Sequence, residues 1–480
     1  MKKNLILILL LIPSVIVFSQ SKVMKVLSGG NVIYSEAVAN IDSITFSTDS
    51  DDEVQHLYDI TKLPVFKFEI STENWNNFLS YFDQNPKNEE YIHVDLYFQQ
   101  GNHYDTLRNS GFKMRGNTSR RRPEGSTGEV HHPENPDWHH ASFSVNVKKW
   151  EKNQRILGEK KVNLKWFKDD ANYCREVYCY DLFRRFGIWT ALQSSYCQLY
   201  IKIKEDAQWY YFGIYEMLEP IDDDFVKARE NQFVTTGGHL WKANYPADFN
   251  STDESQMGIE DVTLTYTYEP VYDYKTDNND FANAKAQLVD FISNVKNLNG
   301  TAFKDYISNK MDVDFFLKTY AVNVICGMWD DHWANANNFY FYFDENGKFF
   351  FIPYDYDNTL GTSLIVNDAG TQNLLQWGDM NNRPLMTKIL AIPEYKTIYI
   401  NYLHELCNPA NNYFDVDKSI ARIQNWHRLI NGKVLNDTGE DMYIEDKPAV
   451  WGNQPNYRLF TKGSNNFFQV RATHLPSLSK

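Results

Sequence analysis

The chain has 480 residues, of which 42% are hydrophobic and 15% aromatic. It can therefore bury one large two-lobed core or two ordinary cores, and disordered, collagen-like and linker-rich proteins are excluded. Its formal net charge of −14 disfavours a general nucleic-acid or anionic-membrane binder, because an acidic surface repels both polyanions.

The first 19 residues have the pattern of a cleaved signal peptide. Lys2 and Lys3 are charged, residues 5–18 are almost wholly apolar, and residues 17–19 place small or short side chains at the cleavage positions. The apolar run is too short to cross a bilayer comfortably, and no second run of about 18 apolar residues follows. We therefore predict a secreted, periplasmic or cell-envelope protein without a stable membrane span.

Residues 20–60 predict a small β segment followed by an acidic linker. Strand-like runs at 32–34 and 44–46 follow a turn at 29–31, and acidic residues crowd positions 49–53. The five cysteines are too few for a disulfide framework in a chain of this length, although one incidental bridge stays open.

The rest of the chain, residues 61–480, predicts an α+β domain with a strand-rich N-lobe over about 61–240 and a helix-rich C-lobe over about 241–480. The first half contains one clear helix, at 172–186, among strands predicted at 65–70, 92–98, 111–115, 142–147, 162–166, 195–204 and 208–217. The second half predicts helices at 281–297, 301–307, 313–328, 385–392, 394–407 and 416–431. Between them, residues 338–343 and 348–353 predict a β-hairpin.

The densest group of acidic and amide side chains flanks this hairpin. Asp330, Asp331 and Asn338 precede its first strand, and Asp355 and Asp357 follow its second. A hairpin brings its two ends together, and carboxylate and amide oxygens suit a hard cation such as Mg²⁺ or Mn²⁺. The alternative is a group of turn-capping Asp and Asn residues.

Cationic side chains of the first half are candidates for binding phosphate. Arg115 and Asn117 lie in a small-residue turn whose backbone N–H groups could face phosphate oxygens, but surface hairpins use the same residues. Lys165 and Lys242 lie within apolar strands, where a lysine needs an acidic or phosphate partner unless it extends its ammonium group to water.

The tract 131–140 contains four histidines and two prolines. Such a tract could bind a transition metal. The prolines and polar flanks favour a flexible surface loop instead.

Taken together and in order, several segments resemble the spore-coat protein H (CotH) family of secreted atypical protein kinases. The resemblance extends over about residues 63–431 and rests on the order of the motifs, which are Arg115-Gly116-Asn117-Thr118-Ser119, Leu164-Lys165 with Arg175, Gly213-Ile214-Tyr215 with Glu219 and Ile221-Asp222, Leu240-Trp241-Lys242, Asp330-Asp331 to Asn338 with Tyr340-Phe341-Tyr342, and Ile352 to Asp357.

The resemblance implies a degenerate, two-lobed kinase-like fold that binds ATP with Mg²⁺ or Mn²⁺ and phosphorylates Ser or Thr of extracytoplasmic proteins. It also implies roles for single residues. Asp330 or Asp331 would orient the substrate hydroxyl, and Asn338, Asp355 and Asp357 would bind the metal. The candidates for nucleotide binding, or for pairing with Glu219, are Arg115, Asn117, Lys165, Arg175 and Lys242.

Two features depart from the family pattern. His140-Ala141 stands where members usually have a lysine, and Asn335-Ala336-Asn337 lengthens the spacing from the aspartates to Asn338. A catalytically inactive envelope, adhesion or binding protein on the same scaffold is therefore the alternative to an active kinase. A glycan-processing enzyme with paired acids is a third alternative, disfavoured by the cationic positions.

Overall fold

The computed structural model describes residues 23–28, 31–37, 56–117, 119–264, 267–450, 452–453 and 455–478. The chain divides into two compact units, residues 1–54 and 55–480. The described part of the first unit is an antiparallel pair of strands, β1 (Val23–Ser28) and β2 (Asn31–Ala37). The predicted signal peptide and the predicted strand at 44–46 lie outside the described residues.

The strand-rich part of the second unit is a closed seven-stranded barrel in the order β3-β4-β5-β6-β7-β9-β8. Its strands are β3 (Val65–Ile70), β4 (Ile92–Gln100), β5 (His103–Met114), β6 (Phe143–Asn146), β7 (Lys161–Lys165), β8 (Ser194–Ile203) and β9 (Tyr210–Leu218). The barrel closes where β3 pairs in parallel with β8, from Val65 opposite Gln198 to Ile70 opposite Ile203. Alternate residues of β3 are buried, which is the period expected of a strand with one face in a core.

Two helices accompany the barrel, and one of them was not predicted. Helix α1 (Thr72–Gln84) begins at Ser71, whose hydroxyl accepts from the Asn74 N–H, and buries Trp75, Phe78 and Leu79. The prediction of a single helix in this half is therefore wrong, although the cap and the i, i+3, i+4 spacing were readable. Helix α2 (Arg175–Arg185) is the predicted one.

A second sheet of five strands has the order β11-β14-β10-β15-β16. Its strands are β10 (His239–Ala243), β11 (Met257–Gly258), β14 (Tyr272–Tyr274), β15 (Phe339–Phe343) and β16 (Phe349–Pro353), and a separate pair is formed by β12 (Asp261–Val262) and β13 (Thr267–Tyr268). Strands β15 and β16 are the predicted hairpin. Strand β10 spans the predicted boundary between the lobes.

The remaining helices follow the barrel strands in the sequence, and α6 contacts strand β16 of the second sheet. They are α3 (Asp223–Lys227), α4 (Phe281–Asn297), α5 (Gly300–Lys310), α6 (Val313–Ile325), α7 (Pro384–Leu390), α8 (Pro393–Cys407), α9 (Val416–Ile430) and α10 (Phe467–Thr473). The predicted mixed α+β class is confirmed, with a closed barrel as its strand-rich part. The two-lobed kinase-like arrangement stays a prediction. Among the described residues, every helix falls short of the length and apolar character needed to cross a bilayer.

Candidate active site

Lys165 is the centre of the most concentrated group of charges beside the barrel. It is the last residue of β7, and its side chain is 9% exposed. Its Nζ lies 2.5 Å from Glu176 Oε2, 2.7 Å from Asp355 Oδ1 and 3.1 Å from Asp357 Oδ2. A buried lysine requires acidic partners, and here three carboxylates from two distant segments supply them.

The hairpin β15–β16 brings the acids of the second half to this lysine. Its register pairs Phe339 with Pro353, so residues 338 and 354 lie side by side where the hairpin opens. Asp355 follows with a left-handed backbone (φ 65°), and its N–H donates to the Tyr180 hydroxyl over 2.9 Å. The hairpin therefore places residues 338 and 354 at the same end of β15 and β16.

Three carboxylates share the charge of one ammonium group. Burial disfavours the charged form of Lys165, but Asp355, Asp357 and Glu176 outweigh it and hold the pKa of Lys165 well above its usual value. Burial alone would raise the pKa of Asp355, yet Lys165 and then Arg115 lower it below its ordinary value. At Asp357 burial prevails, aided by the charges of Asp355 and Glu176, so the pKa of Asp357 is raised. Three carboxylates therefore share one ammonium group as their contact partner.

Oxygen atoms of this group suit a divalent cation. One carboxylate oxygen each from Glu176, Asp355 and Asp357 lies within 4.8 Å of the others. Hard cations such as Mg²⁺ prefer carboxylate oxygens, and a cation would offset the burial and the like charges that together raise the pKa of Asp357. The residues present thus fit a divalent metal.

Asp330 precedes the hairpin, and three asparagine side chains donate hydrogen bonds to its carboxylate. Its carboxylate accepts from Asn335 Nδ2 at 2.6 Å, from Asn338 Nδ2 at 2.8 Å and from Asn337 Nδ2 at 3.1 and 3.2 Å. Burial raises the pKa of Asp330 and the negative charge of Asp355 adds to the rise, so the two carboxylates are within electrostatic range of each other.

Asp331 has a different environment from its neighbour. It is 1% exposed, and its carboxylate accepts from Asn323 Nδ2 at 2.6 Å and from the Ala334 N–H at 2.9 Å. Its backbone carbonyl accepts from the N–H groups of Asn335 and Asn337, both at 3.1 Å. Asp331 therefore holds the loop 330–338 from inside, and Asp330 is the less buried member of the pair.

A wall of cationic and phenolic side chains faces the carboxylates. Arg115 Nη2 donates to the Tyr354 hydroxyl over 3.2 Å, and the rings of Tyr354 and Tyr340 are 4.9 Å apart. Lys242 is paired with Tyr340 in the strand register, and its charge contributes to lowering the pKa of Asp355. Arg115 and Lys165 thus place positive charge beside the carboxylates, whereas Lys242 Nζ also lies 3.4 Å from the Glu269 carboxylate.

Comparison with known families now identifies the chain. A family model described as CotH kinase protein matches residues 112–468, which is more than half of the chain. The chain belongs to this family. No curated protein matches the sequence. Membership confirms the resemblance predicted from the motifs and indicates a kinase-like protein, for which ATP and a divalent metal are the expected ligands.

Two residues predicted to take part in the CotH site are committed to other contacts. The Arg175 guanidinium, 1% exposed, donates to the carbonyls of Thr359 and Leu360 and pairs with Asp170. Glu219 accepts from both Nη atoms of Arg229 at 2.6 and 2.7 Å. The expected pairing of Glu219 with the site cations is therefore wrong, because Arg229 already neutralises it, and Arg175 ties α2 to the loop after Asp357.

The turn after β5 supplies the CotH site mainly through Arg115. Asn117 is exposed, and its carbonyl accepts from the Arg120 N–H over 3.4 Å. Arg120 itself donates to the carbonyls of Gly116, Pro86 and Asn88. Arg120 thus shapes the turn, while Thr118 lies outside the described residues.

Two glutamates of the CotH site escaped prediction. Glu176 follows Arg175 in the first turn of α2 and pairs with Lys165. The sequence pattern that could have indicated Glu176 is a lysine at the end of a buried strand followed by a glutamate early in the next helix. Ordinary kinases form an ion pair between such residues. Glu216 is the cross-strand neighbour of Lys165, and burial, with the charge of Glu176, raises the pKa of Glu216 well above its usual value.

The histidine-rich insertion of this CotH domain is more ordered than predicted. His140, at the position where the family usually has lysine, is 4% exposed, and its Nε2 is 2.8 Å from the Phe212 carbonyl oxygen. His131 and Trp138 are also buried, and residue 124 bridges to residue 138. The prediction of a flexible surface loop is wrong for these side chains, which pack into one end of the barrel.

Proposed function

We propose that this chain is a secreted protein kinase that transfers the γ-phosphate of ATP to Ser or Thr of extracytoplasmic proteins. The observation that carries the proposal is Lys165, held between Glu176 and Asp355, with Asp330 within electrostatic range of Asp355. A strand lysine paired with a helix glutamate, next to a metal-binding aspartate, is the arrangement by which kinases position ATP.

The nucleotide phosphates would contact Lys165, with Arg115 and Lys242 along the same wall. Asn338 and Asp355 would hold Mg²⁺ or Mn²⁺, with Asp357 in support, and Glu176 adds a further carboxylate to the set. When bound, the metal supplies neutralisation of the phosphate charge that develops during transfer. Lys165 would then neutralise the charge of the phosphates as well as that of the protein carboxylates. Its ion pair with Glu176 holds its ammonium group in position for both.

Asp330 would orient the substrate hydroxyl and accept its proton. The hydroxyl oxygen forms a bond to the γ-phosphorus, and the bond from that phosphorus to the bridging oxygen of ADP breaks. Positioned proton transfer of this kind contributes about 10²- to 10⁴-fold to rates. The three asparagine amides on Asp330 fix the direction of its carboxylate before a substrate arrives.

An extracytoplasmic site of action is part of the proposal. It is supported by the leader-like pattern of residues 1–19. N-terminal sequencing of the protein recovered from the culture medium or cell envelope tests it, with a chain that begins near residue 20 as the expected result.

The test of transfer is incorporation of labelled phosphate from ATP into the protein itself or into a Ser/Thr-rich protein, with Mg²⁺ or Mn²⁺ and with a chelator. We expect metal-dependent incorporation that Asp330→Asn lowers by at least about 100-fold. The matched control is Asp290→Asn, which removes an exposed carboxylate on α4 and should keep wild-type incorporation.

The same preparations decide between this function and an inactive binding protein. Absence of incorporation together with a normal ATP-induced thermal shift would indicate that the protein binds ATP but does not transfer its phosphate. Absence of both incorporation and thermal shift would overturn the proposal. A non-catalytic adhesion or binding role would instead show a partner bound equally well after Asp355→Ala.

A further inference from the structure

A chain of buried hydrogen bonds connects the partner of Lys165 with the loop that carries Asp330. The Tyr356 N–H donates to Glu176 Oε1 over 3.1 Å, and the Tyr356 hydroxyl donates to Asn323 Oδ1 over 2.6 Å. Asn323 Nδ2 donates to Asp331 Oδ2 over 2.6 Å. Every member of this chain is at most 3% exposed.

Both ends of the chain lie in the proposed machinery. At one end, Glu176 uses its other carboxylate oxygen to bind Lys165. At the other end, Asp331 accepts from three backbone N–H groups of residues 334–337 and so fixes the shape of the loop around Asp330. The middle of the chain is Asn323, on α6, and the Tyr356 side chain, whose neighbours in sequence are the predicted metal ligands Asp355 and Asp357.

The direction of each hydrogen bond is determined by its chemistry. The Tyr356 phenol carries a proton and lies 2.6 Å from Asn323 Oδ1, so its hydroxyl acts as the donor. The Asn323 amide then accepts with its oxygen and donates with its nitrogen. An amide turned the other way would present N–H to a donor and oxygen to a carboxylate, which disfavours that orientation.

We propose that Tyr356 and Asn323 are positioning residues, which hold the metal-binding residues 355–357 in a fixed relation to the hydroxyl-orienting loop 330–338. The inference rests on the proposed kinase function. Apolar side chains at both positions would fill the same space without burying polar atoms. The polar pair is the element that makes the geometry of one loop depend on the other.

The experiment compares Tyr356→Phe with Tyr399→Phe. Tyr356→Phe keeps the ring, which packs on Tyr180 and Phe183, and removes the hydroxyl. Tyr399→Phe is the matched control, since it removes a buried hydroxyl on α8 that donates to the Leu374 carbonyl over 3.1 Å. Two measurements are made on each protein, steady-state kinetics and hydrogen exchange of the peptide covering 330–338.

We expect Tyr356→Phe to lower kcat about 10- to 100-fold, as displacement of a catalytic group by about an ångström does. The KM for ATP and the ATP-induced thermal shift should stay within about twofold of wild type, because no phosphate contact is removed. Exchange in 330–338 should become faster, while the control changes neither quantity. Asn323→Ser is the second variant. The double variant Asn323→Ser with Tyr356→Phe should lower kcat little more than either substitution alone.

Equal kcat and equal exchange in Tyr356→Phe and Tyr399→Phe would overturn the inference. An inactive wild-type protein would overturn the proposed function instead, and the exchange rates of residues 330–338 would still decide whether the two loops are coupled. Faster exchange in both variants would also overturn it, because the effect would then belong to any lost buried hydroxyl.

Discussion

His131 is held between two buried carboxylates at one end of the barrel, and this arrangement predicts a pH-dependent stability. Its Nδ1 lies 3.0 Å from both oxygens of Glu124 and its Nε2 lies 2.8 Å from Asp206 Oδ1. The His131 side chain is fully buried, and the Trp75 indole N–H also donates to Glu124, over 2.6 Å. Two carboxylate partners require a proton on each ring nitrogen, so the imidazolium form fits the site.

Burial lowers the pKa of His131, but the hydrogen bonds and charges of Asp206 and Glu124 outweigh burial and raise it to about 9, from an ordinary value of 6.5. At about 1.4 kcal/mol per pH unit, the difference corresponds to about 3 kcal/mol. Because the folded pKa is raised, this contribution is complete below pH 6.5. It is lost as the pH rises to about 9, since in that interval the folded state alone keeps the proton.

The perturbation is His131→Gln, and the assay is urea denaturation followed by circular dichroism between pH 6 and 9.5. At pH 6 the wild type should be more stable than His131→Gln by about 3 kcal/mol, and the difference should shrink towards pH 9.5. His132→Gln is the control, because the next side chain is exposed, and its effect should stay within about 0.5 kcal/mol at every pH. A difference between wild type and His131→Gln that does not change with pH would refute the reasoning.

Three further substitutions test the packing and the assignment of charges. Glu219→Gln should lower the free energy of unfolding by about 3 kcal/mol, because it removes the charge partner of the largely buried Arg229 side chain. It should leave the ATP-induced thermal shift unchanged, and loss of that shift would show that Glu219 takes part in nucleotide binding. Leu96→Ala should cost about 2–5 kcal/mol in urea denaturation, since Leu96 is fully buried in the barrel, whereas Leu435→Ala, at a 54% exposed side chain, should cost under about 1 kcal/mol; equal costs would contradict the barrel core. Gly238→Ala would place a Cβ 1.9 Å from a backbone carbonyl oxygen of the neighbouring strand β15, so we expect a fall of more than about 3 kcal/mol in the same assay, and a wild-type melting temperature would show that the two strands are not this close.

The sequence predicted those parts of the site that depend on local patterns. Two apolar runs around a turn predict the hairpin, and the position of residue 354 beside residue 338 follows from the hairpin alone. Glu176 was not predicted, because adjacent helix positions point about 100° apart and the sequence alone does not show whether Arg175 or Glu176 faces Lys165. Only the packing of α2 decides that Glu176 meets Lys165 while Arg175 contacts the carbonyls of Thr359 and Leu360.

Features that depend on long-range contacts could not be predicted. The barrel closes through parallel pairing of β3 with β8, two strands about 130 residues apart in the sequence, and no local pattern encodes such a partner. The prediction of a surface loop for the histidine-rich insertion was wrong for the same reason. Its composition is that of a loop, yet His131 finds Asp206 and Glu124 in a buried position that composition cannot reveal.

The lengthened spacing before Asn338 has a physical explanation in the loop itself. Ala336 and Asn338 both adopt left-handed backbone conformations, with φ of 54° and 48°, which fold the added residues back on themselves. Asn338 therefore still reaches Asp330 at 2.8 Å, and Asn335 and Asn337 add their own amides to the same carboxylate. Left-handed conformations are costly for residues with a Cβ and persist where the surroundings determine them, as Asp331 does here by binding the backbone of the loop. The longer segment thus adds two amides to the groups around Asp330, and Asn338 contacts Asp330 directly.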